Sequence, residues 1–262
     1  MTRSYKMSTK IVAMSDTHCG HLAGLTPPDY WTSQKYSEGK IQRETWLEYE
    51  ELCEKNKGCD YLFHLGDTID GDGKVNGGVE QITTDRIKQA EMAVECIAKM
   101  EPKRVIMTYG TAFHTGKAED FDGLVNKGLN AIGIPSEIHG MPFVKVEDVT
   151  FHLKHHIGGS GIPYGRHTAS SKERFWLKLH EEQGWEKADI ILRGHVHYYQ
   201  IAGGADWLAM TLPALQAANT KFGRRCSGEV HWGLVTFEVD GSEYTIDPQV
   251  TVIKNANPVV VR

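Results

Sequence analysis

Five short apolar runs, each ending in residues that can bind a metal or turn the chain sharply, constrain this sequence more than any other feature. Residues 10–15 (KIVAMS) lead into Asp16-Thr17-His18, residues 60–65 (DYLFHL) into Gly66-Asp67, and residues 104–109 (RVIMTY) into Gly110-Thr111. Residues 150–153 run towards His155-His156, and residues 188–192 (ADIIL) into Arg193-Gly194-His195-Val196-His197. Short apolar runs bounded by glycine predict strands buried on both faces.

Helical spacing falls between these runs. Residues 42–54 and 170–183 carry it, the latter closed by Gly184; residues 79–100 place Ile82, Ile87, Ala90, Ala93, Val94 and Ile97 on one face, with Pro102 beyond the end. The last third changes character: residues 207–212, 230–239 and 244–253 read as consecutive strands, with Asp240-Gly241 turning between the last two. Alternating strands and helices followed by a run of strands predict an α/β fold in which two packed sheets are flanked by helices. No linker divides the chain, so one domain is expected over 1–262, with 1–9 as a flexible N-terminus. The stretch from Gly20 to Gly39 reads as a long surface loop near the first motif, a length usually kept for function.

A formal charge of −5 argues against duplex DNA as the main partner, since such domains are usually basic. The five cysteines (Cys19, Cys53, Cys59, Cys96 and Cys226) are odd in number and form no C-x-x-C pair, so reduced thiols are expected rather than a disulfide framework or a zinc knuckle. The N-terminus is polar, unlike a secretory signal, and no apolar run approaches the roughly 18 residues of a membrane span. These features predict a cytoplasmic chain with no membrane partner; its oligomeric state is left open.

Singly, each motif has an ordinary structural reading. An Asp-x-His after a strand is commonly a turn with a capping aspartate, and Gly-Asp at a strand end is another turn. Together they place carboxylates or histidines at the C-terminal ends of four strands, the edge where open α/β sheets hold ligands. Imidazole suits zinc, iron and manganese, and carboxylate admits harder dications as well. Two ions held roughly 3.5–4 Å apart need a bridging ligand, which an aspartate can supply.

The motifs Asp16-x-His18, Gly66-Asp67-x-x-Asp70 and Gly194-His195-x-His197, in that order, resemble the signature of the calcineurin-like metallophosphoesterases, over roughly residues 10–200. The resemblance implies a four-layer α/β/β/α sandwich of two mixed sheets flanked by helices. It also implies two divalent ions, with manganese expected and zinc, iron or nickel as alternatives. Asp16, His18 and His197 would hold one ion; His195 and one of the His155/His156 pair would hold the other; Asp67 would bridge. Asp70 would orient its neighbours without touching metal.

Two places blur the pattern. The family's third motif is Gly-Asn-His followed by an acid, with asparagine on a metal and histidine protonating the leaving group; here it reads Gly110-Thr111-Ala112-Phe113-His114. Thr111 is a weak ligand, so it is placed behind the metal ligands. His114 is either a metal ligand or, as slightly preferred, the general acid. This form, with its doubled histidine, is similar to metallophosphoesterases of phages and prophages. In the His155/His156 pair a strand should point only one ring at the metals. The family's habit of placing the ligand just before a turn favours His156, and both are kept.

Arg166 and Arg193 are weaker candidates for binding substrate phosphate, with ordinary surface arginines as the alternative. Tyr30 and Trp31 could rim the site, and Tyr198 and Tyr199 could stack on a base, though core packing explains each as well. The expected activity is hydrolysis of a small phosphoester, a diester or nucleotide more than a polymer. A repair-type DNA nuclease and a metal-binding scaffold without hydrolysis are the alternatives.

Overall fold

The computed structural model describes residues 8–74, 77–118, 120–217 and 230–253. Eleven strands and five α-helices follow in the order β1 (Thr9–Met14), α1 (Ser37–Asn56), β2 (Tyr61–His64), α2 (Arg86–Ala98), β3 (Val105–Thr108), α3 (Ala112–Thr115), α4 (Asp120–Ala131), β4 (Ser136–His139), β5 (Phe143–Val146), β6 (Val149–Lys154), α5 (Arg166–Glu181), β7 (Ile190–Arg193), β8 (Gln200–Gly203), β9 (Leu208–Thr211), β10 (Val230–Asp240) and β11 (Glu243–Ile253). Of the segment 1–9, residues 1–7 lie outside the described residues and Thr9 already belongs to β1. Cys226 also lies outside them; the other four cysteines are free and buried.

One sheet has the order β11-β10-β1-β2-β3-β4 and the other β5-β6-β7-β9-β8. In the first, β1, β2, β3 and β4 run parallel while β10 pairs antiparallel with β1. In the second, β6, β7 and β9 run parallel between antiparallel edge strands. Strand alternation sorts the side chains into layers. Ile11, Ala13, Phe63 and Ile106 face Phe151, Leu153, Ile190 and Leu192 across the gap between the sheets. Val12, Met14, Leu62, Val105 and Met107 instead meet Trp46 and Tyr49 of α1, Ala93 and Ile97 of α2, and Val125 and Leu129 of α4. On the far side Ile191 and Ala209 pack under Leu177 of α5. The result is a sandwich of two mixed sheets flanked by helices.

Several boundaries differ from the sequence reading. The helix expected from residue 79 begins at Arg86, where Asp85 caps it by accepting from the amides of Ile87 and Lys88. Gly77 and Gly78 have φ of 68° and 73°, so the chain turns there instead of coiling. The long 20–39 segment is no open rim: Leu25 and Thr26 are fully buried, and Tyr30 and Trp31 pack against the helix-side core. Trp31 donates its indole N–H to the Thr26 carbonyl at 2.9 Å, which fixes the loop inward. No helix among the described residues is long and apolar enough to cross a membrane.

Candidate metal centre

The residues that follow β1, β2 and β7 adopt a backbone that side chains normally avoid. Seven non-glycine residues in the described chain have positive φ, and five of them are Asp16, His18, Asp67, His195 and His197, at 55°, 43°, 51°, 74° and 54°. Each such residue costs on the order of 1–3 kcal/mol and persists only where its surroundings hold it. Here the surroundings are explicit. The Asp16 amide donates to the Gly66 carbonyl at 3.2 Å and the His18 amide to the Asp67 carbonyl at 3.1 Å, tying the first two loops together. The His195 amide donates to Asp16 Oδ2 at 3.0 Å, which adds the loop after β7. A Cβ at Gly194 would stand 2.2 Å from Ser15 Oγ, and one at Gly110 the same distance from the Asp67 amide nitrogen, so neither position accepts a side chain.

Asp16 Oδ2 also accepts from Ser15 Oγ at 2.6 Å, leaving Oδ1 buried without a hydrogen-bond partner. That free oxygen lies 3.3 Å from His197 Nε2 and 3.7 Å from His18 Nε2, and the two nitrogens are 3.3 Å apart. His18 Nδ1 lies 3.2 Å from Asp70 Oδ1, so a proton on that nitrogen meets the carboxylate, and Nε2 points into the group.

A second group forms beside the first. His155 Nδ1 donates to the Leu65 carbonyl at 2.5 Å, so Nε2 faces Asp67 Oδ2, 3.0 Å away, without satisfying hydrogen-bond geometry. His195 completes this group, whereas Asp67 also meets His18 and His114. His18 therefore belongs to both its own group and one containing Asp67, which places Asp67 between the two. Asp67 Oδ1 is held by the Thr111 amide at 2.6 Å and approached by its hydroxyl at 3.2 Å. His114 donates Nδ1–H to the Asp70 carbonyl at 2.8 Å and stands edge-on to the His18 ring, centroids 4.5 Å apart.

The electrostatics describe a site that demands positive charge. Burial opposes ionisation of Asp16 and Asp67, yet the neighbouring histidines hold both carboxyls well below the usual carboxylate range. Burial likewise disfavours protonated His18 and His155, but contacts with Asp16, Asp70 and Asp67 push them up to about 10 and about 9. Burial lowers His195 to about 4, and burial with neighbouring His18 also lowers His114. Carboxylate oxygens and imidazole nitrogens converge here, a donor set that fits borderline dications once the rings give up their protons.

The sequence candidates divide accordingly. Asp16, His18, Asp67, His155, His195, His197 and His114 are brought together; Asp70 and Thr111 stand directly behind them. His156, favoured over His155 in the sequence, is exposed and touches the site only through the His195 ring, 4.6 Å away between centroids. Parity explains the correction: Phe151 and Leu153 face the gap between the sheets, and two residues on His155 keeps that face. Arg193 does not reach the site. It is 1% exposed and bound to Glu173 and His152 on the α5 side of its sheet. Arg166 lies 4.5 Å over the Tyr198 ring, which leaves Tyr198 6% exposed and unable to stack on a base. Tyr199 packs into the core between the sheets. The sequence reading missed Ser15 and Asp122; an acid at each end of Asp120-Phe121-Asp122 marks a helix start that could have pointed to the latter.

No family model matches the chain, and no curated protein matches it. Solved structures do. Vacuolar Protein Sorting 29 from Cryptosporidium parvum aligns over 94% of this chain and 96% of its own, with 13% identity and a TM-score of 0.50. A double mutant of Vps29 from Entamoeba histolytica aligns over 93% and 96%, with 12% identity and a TM-score of 0.50. A novel archaeal phosphodiesterase aligns over 93% and 99%, with 14% identity and a TM-score of 0.49. At such identities the likeness establishes the fold alone, an α/β sandwich of two mixed sheets flanked by helices.

Proposed function

We propose that this chain is a dinuclear-metal-dependent hydrolase of phosphate esters, acting on a small diester or nucleotide-like substrate. The observation that supports the reading is the pair of ligand groups, Asp16-His18-His197 and Asp67-His155-His195, linked by a third in which Asp67 meets His18 and His114. Asp16, His18 and His197 would hold one ion, His155 and His195 the other, and Asp67 both. Held by these residues, two divalent ions would supply an acidic water near neutral pH and offset charge on the phosphoryl oxygens. Manganese is the ion proposed, with zinc, iron or nickel as alternatives.

The protein's own groups then have separate tasks. Asp70 fixes the His18 ring through Nδ1 at 3.2 Å. Thr111, which replaces the family's asparagine, holds Asp67 Oδ1 by amide and hydroxyl and touches no ion. His114 is the general acid in this reading: its Nδ1–H is anchored on the Asp70 carbonyl, the Asp70 carboxylate lies 3.6 Å from the same nitrogen, and the proton for the leaving oxygen would be carried on Nε2 by the doubly protonated ring, which burial and His18 oppose and the Asp67 and Asp70 carboxylates favour. Phe113, 59% exposed and edge-on to His114 at 4.8 Å, offers the apolar surface beside the site that Tyr198 and Tyr199 do not. Such a surface suits an organic group on the ester. The net charge of −5 opposes tracking along a polymer backbone.

The test is a side-by-side assay with manganese and with chelator, on nucleotides, cyclic and linear dinucleotides and DNA oligomers, at low salt. Metal-dependent turnover of the small esters is expected. Efficient cleavage of DNA with little turnover of small esters would make the chain a nuclease. Two bound ions with no turnover of any substrate would make it a scaffold.

A further inference from the structure

We propose that Asp122 is a positioning residue for the metal centre, a buried carboxylate that clamps the two loops flanking Asp67 and so fixes the angle of that shared ligand. The inference rests on the metal-binding reading above. Asp122 lies in the first turn of α4 and is fully buried. A buried carboxylate costs several kcal/mol unless its oxygens are hydrogen-bonded. Its recorded hydrogen bonds all come from those two loops. Oδ2 accepts from the Gly110 amide at 2.7 Å; Oδ1 accepts from the Thr68 hydroxyl at 2.5 Å and from the Thr68 amide at 3.3 Å.

Each arm leads to Asp67 in one step. Thr68 is its chain neighbour, so holding Thr68 helps hold Asp67 at its positive φ of 51°. Gly110 packs so closely on Asp67 that a Cβ there would fall 2.2 Å from Oδ1, and Thr111, next in the chain, donates its amide to that same oxygen. The remaining oxygen, Oδ2, is the one facing His155. The clamp itself is anchored: Val125 and Leu129 of α4 are fully buried in the helix-side core, so the carboxylate is presented from a packed helix and not from a loop. An apolar side chain would fill the space but leave three donors without an acceptor, so the carboxylate does more than pack.

Asp122→Asn keeps the shape but gives one side of the group donor hydrogens, so either Gly110 or Thr68 faces a donor in place of an acceptor. Thr68→Val removes one hydroxyl and keeps the Gly110 arm. Titration calorimetry of the metal-free full-length chain with Mn²⁺, alongside its melting temperature and the kcat and KM of a chromogenic diester, separates the possibilities. Asp122→Asn should weaken the looser of the two Mn²⁺ steps by roughly 10–100-fold. Thr68→Val should weaken it less, and kcat should fall further than KM moves, at metal-free melting temperatures that are alike. The clamp is refuted if Asp122→Asn binds two ions with wild-type affinity, or if both variants lose affinity only in step with their metal-free melting temperatures. A wild-type chain that takes up fewer than two ions would instead remove the metal-centre reading, and this inference with it.

Discussion

Two buried polar clusters meet at the end of β7, two residues apart, and they are built on opposite principles. Arg193 faces α5 and uses every donor it has: Nε and Nη2 to Glu173 at 2.9 and 2.7 Å, Nη1 to the His152 and Leu192 carbonyls at 3.1 and 2.8 Å, and Nη2 again to His152 Nδ1 at 2.9 Å. Those five bonds match the five N–H groups of a guanidinium. None of Arg193, Glu173 and His152 has a positive φ. His195 faces the other way, into a group where carboxylate oxygens and imidazole nitrogens crowd together and the carboxylates draw positive charge onto His18 and His155. There the backbone is held in costly conformations, and Asp16 Oδ1 and His155 Nε2 have no hydrogen-bond partner. The first cluster pairs every guanidinium donor with an acceptor and serves the fold, leaving His152 Nε2 as its buried atom without a partner. The second gathers carboxylates and imidazoles on a strained backbone, the donor set a cation site would use.

The sharpest way to break this contrast is Asp67→Asn. The variant keeps the shape and removes the charge that both ion groups share, so Mn²⁺ stoichiometry should fall and kcat/KM should drop on the order of 10⁴-fold. The metal-free protein should melt below the wild-type temperature, because His155 and His18 lose the carboxylate charge that favours them. Full metal occupancy with wild-type turnover would show that Asp67 does not bridge.

His114→Ala should have the next largest effect. As general acid its loss costs roughly 10²–10⁴-fold in kcat while leaving two ions bound. The loss should shrink for esters of nitrophenol, whose leaving group needs no proton. A variant that binds one ion fewer would make His114 a ligand, in the group it forms with His18 and Asp67.

Much of this was legible because the candidate ligands lie at strand ends, where apolar runs stop abruptly in chemistry. Asp16, His18, Asp67, His195 and His197 could be named from spacing because each follows a run buried on both faces. What was hidden depended on side-chain direction or on weakly patterned elements. His155 was distinguishable from His156 only by parity with Phe151 and Leu153, a signal outweighed by the turn that follows. Arg193, next to Gly194 and His195, reads as a phosphate clamp in sequence. Strand alternation sends it to the opposite face, where Glu173, twenty residues earlier on α5, is waiting. β4, β5 and β8 have only four residues each, with partly exposed patterns, and carry no periodicity to detect. α4 went unseen because Gly123 and Gly128 are poor helix formers within a short segment, and Asp122 went unseen with it.

The smallest expected effect tests the closed cluster by its titration. Burial, and then the charge of Arg193, push His152 down from 6.5 to about 3. The unfolded chain therefore takes up a proton on this residue below about pH 6.5 while the folded chain does not until about pH 3. The stability that neutral His152 contributes is complete above pH 6.5 and is lost progressively as pH falls towards 3. Each unit of that interval corresponds to about 1.4 kcal/mol at most. His152→Gln keeps an acceptor for Arg193 and removes the titration, so its stability should fall less steeply than wild type between pH 6.5 and 4.5. The comparison is made by urea unfolding in chelator, and the difference between the two slopes is what matters, since His64, also buried and lowered to about 4, titrates in both proteins. Manganese stoichiometry and kcat at pH 7.5 should stay near wild type, because His152 lies on the α5 side of its sheet, away from the ligand groups. Parallel stability curves, or a loss of bound metal in His152→Gln, would show that the two clusters are not the separate devices their bonding implies.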